Sequence, residues 1–88
     1  MNTFEVQKLL GKIEQLLRSN GCASWADRVR VVKLVLVEDP VAGKSEVLSM
    51  FGGLGSLSDI ILYSNGTPLI AENDILQELR QELFEQLH

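Results

Sequence analysis

The chain has few of the residues from which metal and redox sites are built. Its 88 residues include one cysteine, Cys22, and one histidine, His88. A single cysteine cannot form an internal disulfide, which indicates a reducing compartment. A structural zinc site takes about four Cys or His ligands, and a catalytic thiol needs a base beside it. We therefore expect no metal site, no cofactor and no Cys–His catalytic pair.

Long apolar runs are also lacking. The longest nearly apolar run, residues 29–37, contains Arg30 and Lys33 and falls far short of the ~20 residues that a membrane-spanning helix needs. The opening M-N-T-F-E-V-Q-K has no basic segment followed by an apolar one, so no signal peptide is apparent. These features predict a cytoplasmic protein that does not bind membranes.

Positive charge is scarce at one end of the chain. Residues 1–70 hold seven acids and seven bases, so the net charge of −4 lies in residues 71–88. Binding to nucleic acid needs a basic surface, so the charge balance disfavours it. An acidic end instead suits a basic protein partner. The five acids of this segment, set against Arg80 alone, are Glu72, Asp74, Glu78, Glu82 and Glu85.

Apolar residues, at 45% of the chain, are abundant and follow a helical period at both ends. Residues 3–20 predict a first helix, with Thr3 as its cap and Asn20-Gly21 as its stop. Residues 72–87 predict a last helix with Asn73 as its cap, and an earlier start is the alternative. Its expected apolar face comprises Ile75, Leu76, Leu79, Leu83 and Leu87.

The second segment allows two interpretations. Ser24 and Asp27 have the spacing of a helix capping box, whereas the valine-rich residues 29–37 would also suit a strand. We favour a helix and leave the strand open. A helix here would be apolar nearly all round. One side would carry Trp25, Val29, Val32 and Leu36, and the other Val31, Leu34 and Val37.

The middle of the chain predicts a third helix and a hairpin. Asp39-Pro40 suits a helix start, but Gly43 costs about 1 kcal/mol relative to alanine, so a start near Lys44 is the alternative. Gly52-Gly53 would end this helix. Residues 60–70 predict a hairpin, because Asn-Gly at 65–66 favours a type I′ turn. The sum is an α+β, mostly helical single domain, residues 1–88, with about four helices and one small β-hairpin.

The glycine-rich stretch F-G-G-L-G-S-L-S-D invites a functional interpretation. A nest of backbone N–H groups there could hold an anion or other small ligand, but no lysine or arginine lies nearby in the sequence. We favour a structural corner, since glycine permits positive φ and close backbone contact. The residues of this corner are Gly52, Gly53, Gly55, Ser56 and Asp59.

Four acids of the last segment recur at helical spacing: Asp74, Glu78, Glu82 and Glu85. Such a stripe is commonly a solvated face, and the alternative is a surface that meets cationic groups on a partner. Two carboxylates could also act as acid and base, but no pocket is implied. We therefore expect a protein that is not an enzyme, with these four residues as its candidate partner-binding site.

Residues 49–63, S-M-F-G-G-L-G-S-L-S-D-I-I-L-Y, resemble the hallmark of a family of short bacterial proteins, F-G-G-[ML]-G-S-[LF]-x-D-[LI]. W-A-D-R at 25–28 and the acidic, leucine-rich last helix are also similar to that family, whereas the valine run departs from its pattern. The resemblance implies no catalytic residues. Small acidic proteins of this type resemble immunity proteins paired with bacterial toxins, including those of contact-dependent growth inhibition systems.

Three hypotheses follow from the sequence. The first is a non-catalytic interaction protein, in particular an immunity protein that neutralises a basic toxin domain. The second is a self-associating accessory domain, for example a homodimer, driven by the over-apolar second helix. The third is a binder of a small anion or ligand at the glycine corner.

Overall fold

The computed structural model describes residues 1–51 and 56–87, and within them it shows four α-helices and one hairpin, as predicted. Residues 29–37 lie inside the second helix, so the helical interpretation of the valine run is confirmed. The elements are α1 Thr3–Ser19, α2 Ala23–Glu38, α3 Pro40–Ser49, a 3₁₀ turn Leu57–Asp59, β1 Tyr63–Ser64, β2 Thr67–Pro68 and α4 Ile70–Leu87.

The cap of α1 is one residue earlier than predicted. The backbone N–H of Glu5 donates to Asn2 Oδ1 at 3.1 Å, and Thr3 is already helical. Asparagine is a somewhat better cap than threonine, which explains the shift. The predicted stop is confirmed. Gly21 has a φ of +83°, and the N–H of Cys22 bonds back to the Leu17 carbonyl at 2.8 Å.

The capping box predicted for α2 is wrong. The helix begins at Ala23, and Cys22 occupies the cap position without a side-chain hydrogen bond to the helix. Asp27, the acid of the predicted box, instead forms a salt bridge with Arg18 of α1 at 3.0 Å. The Asp27 carboxylate therefore stabilises the contact between α1 and α2 and does not cap α2.

The turn between α2 and α3 is set by Asp39, whose Oδ1 accepts from the N–H of Ala42 at 3.1 Å. With Pro40 first in the helix, the predicted start of α3 is confirmed and the alternative start at Lys44 is wrong. Gly43 is needed because a Cβ there would lie 2.5 Å from Leu36 Cα. Close approach to α2 outweighs the poor helix propensity of glycine.

The third helix is shorter at its C-terminal end than predicted. It ends at Ser49, with Met50 as its cap residue, and Phe51 is already in a turn while it packs against the core. The predicted stop at Gly52-Gly53 lies outside the described residues.

The hairpin prediction is confirmed at its turn and too long in its strands. Tyr63 pairs with Pro68, and Ser64 pairs with Thr67, in an antiparallel register. Asn65 and Gly66 have φ values of 52° and 78°, as a type I′ turn requires. Each strand has only two residues, so most of the predicted hairpin, residues 60–70, lies outside the ladder.

The last helix begins at Ile70, two residues before Glu72, so the alternative of an earlier start is confirmed and Asn73 is not the cap. The Asn73 side chain instead accepts from the N–H of Leu62 at 2.7 Å and donates to the Leu62 carbonyl at 3.0 Å. The N–H of Leu69 also donates to that carbonyl, at 2.9 Å. These bonds hold the chain before the hairpin against the start of α4.

The core has α1 at its centre, packed against both α2 and α4, while α2 also packs on α3. The buried apolar side chains of the described residues form one continuous cluster, as a single domain requires. Val29, Val32 and Leu36 of α2 are in it, and Trp25 packs against it while partly exposed. Among the described residues, none of the helices has the length and apolarity to cross a membrane.

Candidate partner-binding surface on the last helix

The four acids predicted as a binding site lie together on α4. Their spacings of four, four and three residues place them within roughly 80° of arc, at about 100° per residue. All four side chains are exposed. We refer to Asp74, Glu78, Glu82 and Glu85 as the acidic face.

The acidic face carries charge that the described part of the chain does not neutralise. None of its carboxylates forms a salt bridge with another described residue. The polar contact found for the group is a long one, from Gln81 Nε2 to Glu85 Oε1 at 3.5 Å. Like charges at this spacing repel one another, so the helix gains no stability from the pattern. A cationic partner would relieve that repulsion.

Glu14 of α1 and Asp27 of α2 contrast with this arrangement. Glu14 Oε1 lies 3.2 Å from Lys33 Nζ, and its Oε2 lies 3.2 Å from Arg18, which also reaches Asp27. Partial burial acts to raise the pKa of Glu14, but hydrogen bonds from Lys33 and Arg18 outweigh it and lower that pKa below its usual value. The hydrogen bonds that Arg18 donates to Asp27 and Glu14 raise the pKa of Arg18. The carboxylates of Glu14 and Asp27 are therefore paired internally.

A groove between α1 and α4 borders the acidic face. Ile75 was predicted to lie on the core side of α4, but 49% of its surface is exposed, because it lines this open groove and is not enclosed in the core. The groove thus combines apolar groups with the carboxylates of Glu78 and Glu82. Its lining comprises Lys12, Gln15, Leu16 and Ser19 from α1, and Ile75, Glu78, Leu79 and Glu82 from α4.

The glycine corner can be described only in part. Gly52, Gly53 and Gly55 lie outside the described residues, so their assignment to a structural corner stays a prediction. Ser56 is buried, and its hydroxyl has no hydrogen-bond partner among the described residues. Asp59 is exposed at the end of the 3₁₀ turn, where its N–H donates to the Ser56 carbonyl at 3.0 Å.

Arg80 of α4, for which the sequence predicts no role in a site, contacts this corner. Its Nη1 donates to the carbonyls of Leu57, Ser58 and Ile60 at 2.8, 3.2 and 3.2 Å. Desolvation lowers the pKa of Arg80, and nearby Asp59 opposes that shift. The sequence signal that could have indicated this role is that Arg80 is a lone arginine in an acidic helix. Its Nη1 donates to backbone carbonyls and its Nη2 donates to Gln77 Oε1 at 2.9 Å, so neither nitrogen forms a salt bridge with the acidic face.

Grouped metal ligands and the single cysteine are the remaining features with a bearing on chemistry. Within residues 1–51 and 56–87, no three His, Cys, Asp or Glu side chains are grouped so that they could hold a metal ion. Cys22 is partly buried and packs against the core.

The fold defines a small, mostly helical α+β domain whose last helix presents carboxylates that form no salt bridge within residues 1–51 and 56–87. The chain belongs to the family described as "Domain of unknown function (DUF6966)", whose family model matches residues 18–70, more than half of the chain. Neither the curated proteins nor the solved structures contain a match to it. The matched range includes α2, α3 and the hairpin and ends before the acidic face. Family membership therefore leaves the function of those carboxylates open.

Proposed function

We propose that this protein is a non-catalytic, cytoplasmic interaction domain that binds a basic surface of a protein partner through the acidic face of α4. The observation that supports this most directly is the exposure of Asp74, Glu78, Glu82 and Glu85 without salt bridges to the described residues. Unpaired surface charge of one sign raises the association rate with a complementary partner and fixes its orientation.

The groove beside the acidic face supplies apolar contact surface, which the charges alone do not. Stable interfaces take most of their binding energy from a few apolar or aromatic anchors that lose contact with water. Ile75 and Leu16 offer apolar surface for such an anchor, and Glu78 and Glu82 lie beside them. The expected partner segment therefore carries an apolar side chain flanked by lysine or arginine.

The finer proposal is that the partner is a toxin domain and that this protein is its immunity protein. The support has two steps: residues 49–63 and the last helix resemble a family of short bacterial proteins, and small acidic proteins of this type resemble immunity proteins by analogy. A basic nuclease domain is a suitable target, because a cationic surface built for phosphates also attracts a row of carboxylates. Binding that covers this surface would exclude the nucleic acid.

The proposal is tested by mixing the purified protein with the toxin domain encoded beside it. We expect a complex on size-exclusion chromatography, inhibition of the toxin at equimolar protein, and affinity that falls as salt is raised. If the protein neither binds nor inhibits that domain, the immunity proposal fails.

Charge reversal tests the surface itself. Glu82→Lys should weaken the complex by roughly tenfold at low salt, since it replaces attraction with repulsion at the centre of the contact. Glu46→Lys on α3 is the matched control, because it makes the same charge change at an exposed site on another helix. Equal losses in the two variants would mean that net charge matters and the acidic face does not.

A further inference from the structure

An apolar stripe on α2 is left uncovered by the fold. Val31, Leu34 and Val37 are 58%, 61% and 70% exposed. They lie on the side of the helix away from the buried Val29 and Leu36. Valine and leucine at three-residue steps on a solvated helix face are a common mark of an interaction surface.

The residues around this stripe are arranged symmetrically about Leu34. Three positions before and after it are Val31 and Val37, and four positions before and after it are Arg30 and Glu38. All are exposed, and neither Arg30 nor Glu38 forms a salt bridge with another described residue. We call these five residues the symmetric stripe. Its two halves have the same apolar groups and opposite charges.

We propose that the symmetric stripe binds a second copy of this chain, with the two α2 helices antiparallel and a two-fold axis at Leu34. In such a pair a residue n positions before the axis lies beside the residue n positions after it on the other copy. Leu34 then contacts Leu34 of the second copy, and Val31 lies beside Val37. Arg30 lies beside Glu38 twice, once at each end of the contact.

Charge complementarity favours the antiparallel pair over a parallel pair of α2 helices and over a basic partner. At 1.5 Å per residue, Arg30 and Glu38 lie about 6 Å along the helix on either side of the axis, close enough for long side chains to meet across a pair of helices about 8–10 Å apart. A parallel pair in register would place Arg30 against Arg30. A basic partner of the kind proposed for α4 would gain nothing here, because the symmetric stripe has one charge of each sign.

The size of the surface predicts a weak dimer. Five side chains per copy are far fewer than the roughly 20–30 residues a side of a standard interface. We expect a dissociation constant on the order of 0.1 mM, so that the dimer forms at high local concentration.

Sedimentation equilibrium of the full chain between about 5 µM and 1 mM tests the proposal, since this range spans the expected dissociation constant. The wild type should shift from monomer to dimer. Leu34→Lys should weaken the dimer by at least about tenfold, because two ammonium groups would meet at the axis. Val41→Lys on α3 is the control, because Val41 is 82% exposed, lies outside the stripe and should leave the dimer intact.

The register is tested by exchanging charges. Arg30→Glu and Glu38→Arg should each weaken the dimer, and the variant with both changes should recover most of the wild-type affinity. Far-ultraviolet circular dichroism confirms that each variant is folded. A monomer throughout the concentration range, or a dimer that tolerates Leu34→Lys, overturns the proposal. A double variant no better than the singles overturns the antiparallel register.

Discussion

The contact between α2 and α3 predicts that alanine at Gly43 lowers the stability of the protein. The same substitution at Gly11 in α1, which lies outside that contact, is expected to raise it. Gly43→Ala introduces a Cβ 2.5 Å from Leu36 Cα and 2.6 Å from Leu36 Cδ1. Because the first of these atoms belongs to the backbone of a packed helix, a rotamer change cannot relieve the clash. Gly11→Ala in α1 brings its Cβ no closer than 3.6 Å, to the flexible Lys33 Nζ.

The magnitudes follow from two terms. Replacing a helical glycine by alanine gains about 1 kcal/mol of helix propensity in either variant. Overpacking typically costs 1–3 kcal/mol, and the upper end, about 3 kcal/mol, applies where backbone must move. We therefore expect Gly43→Ala to be less stable than the wild type by about 2 kcal/mol. Gly11→Ala should be more stable by up to about 1 kcal/mol.

Urea unfolding followed by circular dichroism and by the fluorescence of Trp25 measures both free energies. For a domain of this size the melting temperature should fall by roughly 10 °C in Gly43→Ala and rise by roughly 4 °C in Gly11→Ala. A Gly43→Ala variant as stable as the wild type would refute the close approach of α3 to α2. If Gly11→Ala were less stable than the wild type, helix propensity would not determine stability at Gly11, and this variant would not be a valid control.

Three further predictions concern single contacts. Asn73→Ala removes both hydrogen bonds to Leu62 and should lower the free energy of unfolding by about 2 kcal/mol, whereas a change below about 0.5 kcal/mol would contradict the clamp. Glu14→Gln tests a pKa that is lower in the folded state than its ordinary value of 4.5, so ionised Glu14 adds stability above that pH. The advantage of the wild type over the Gln variant should be present at pH 7 and disappear as the pH falls through the folded pKa; a pH-independent difference in urea unfolding would contradict it. Gly66→Ala places a side chain at a φ of 78° and should cost about 1 kcal/mol by thermal melting, while Ala at the helical Gly11 should not.

Local sequence signals were reliable where the interaction itself is local. Asp39 with Pro40, and Asn65 with Gly66, act within a few residues of themselves, and both were predicted correctly. The choice of helix for residues 29–37 also followed from flanking signals, although its supposed capping box does not form. These features depend on backbone conformation, which neighbouring residues largely determine.

The errors occur where a side chain has a distant partner. Asn73 looked like a helix cap and instead bonds Leu62, eleven positions away. Asp27 looked like part of a capping box and instead pairs with Arg18. Arg80 reaches back more than twenty positions to Leu57. A single sequence gives the donors and acceptors but not which of them tertiary packing brings together.

The position of α1 allows the two proposed surfaces to act separately. It packs against α2 on one side and α4 on another, so the symmetric stripe and the acidic face belong to different helices that share a core neighbour. Substitutions at well-separated surface sites have nearly additive effects. Leu34→Lys should therefore leave the affinity for a basic partner unchanged, and Glu82→Lys should leave dimerisation unchanged. If Leu34→Lys weakened partner binding as much as Glu82→Lys does, the partner would have to contact both helices or bind the dimer alone, and sedimentation of the complex at low concentration would distinguish these by its stoichiometry.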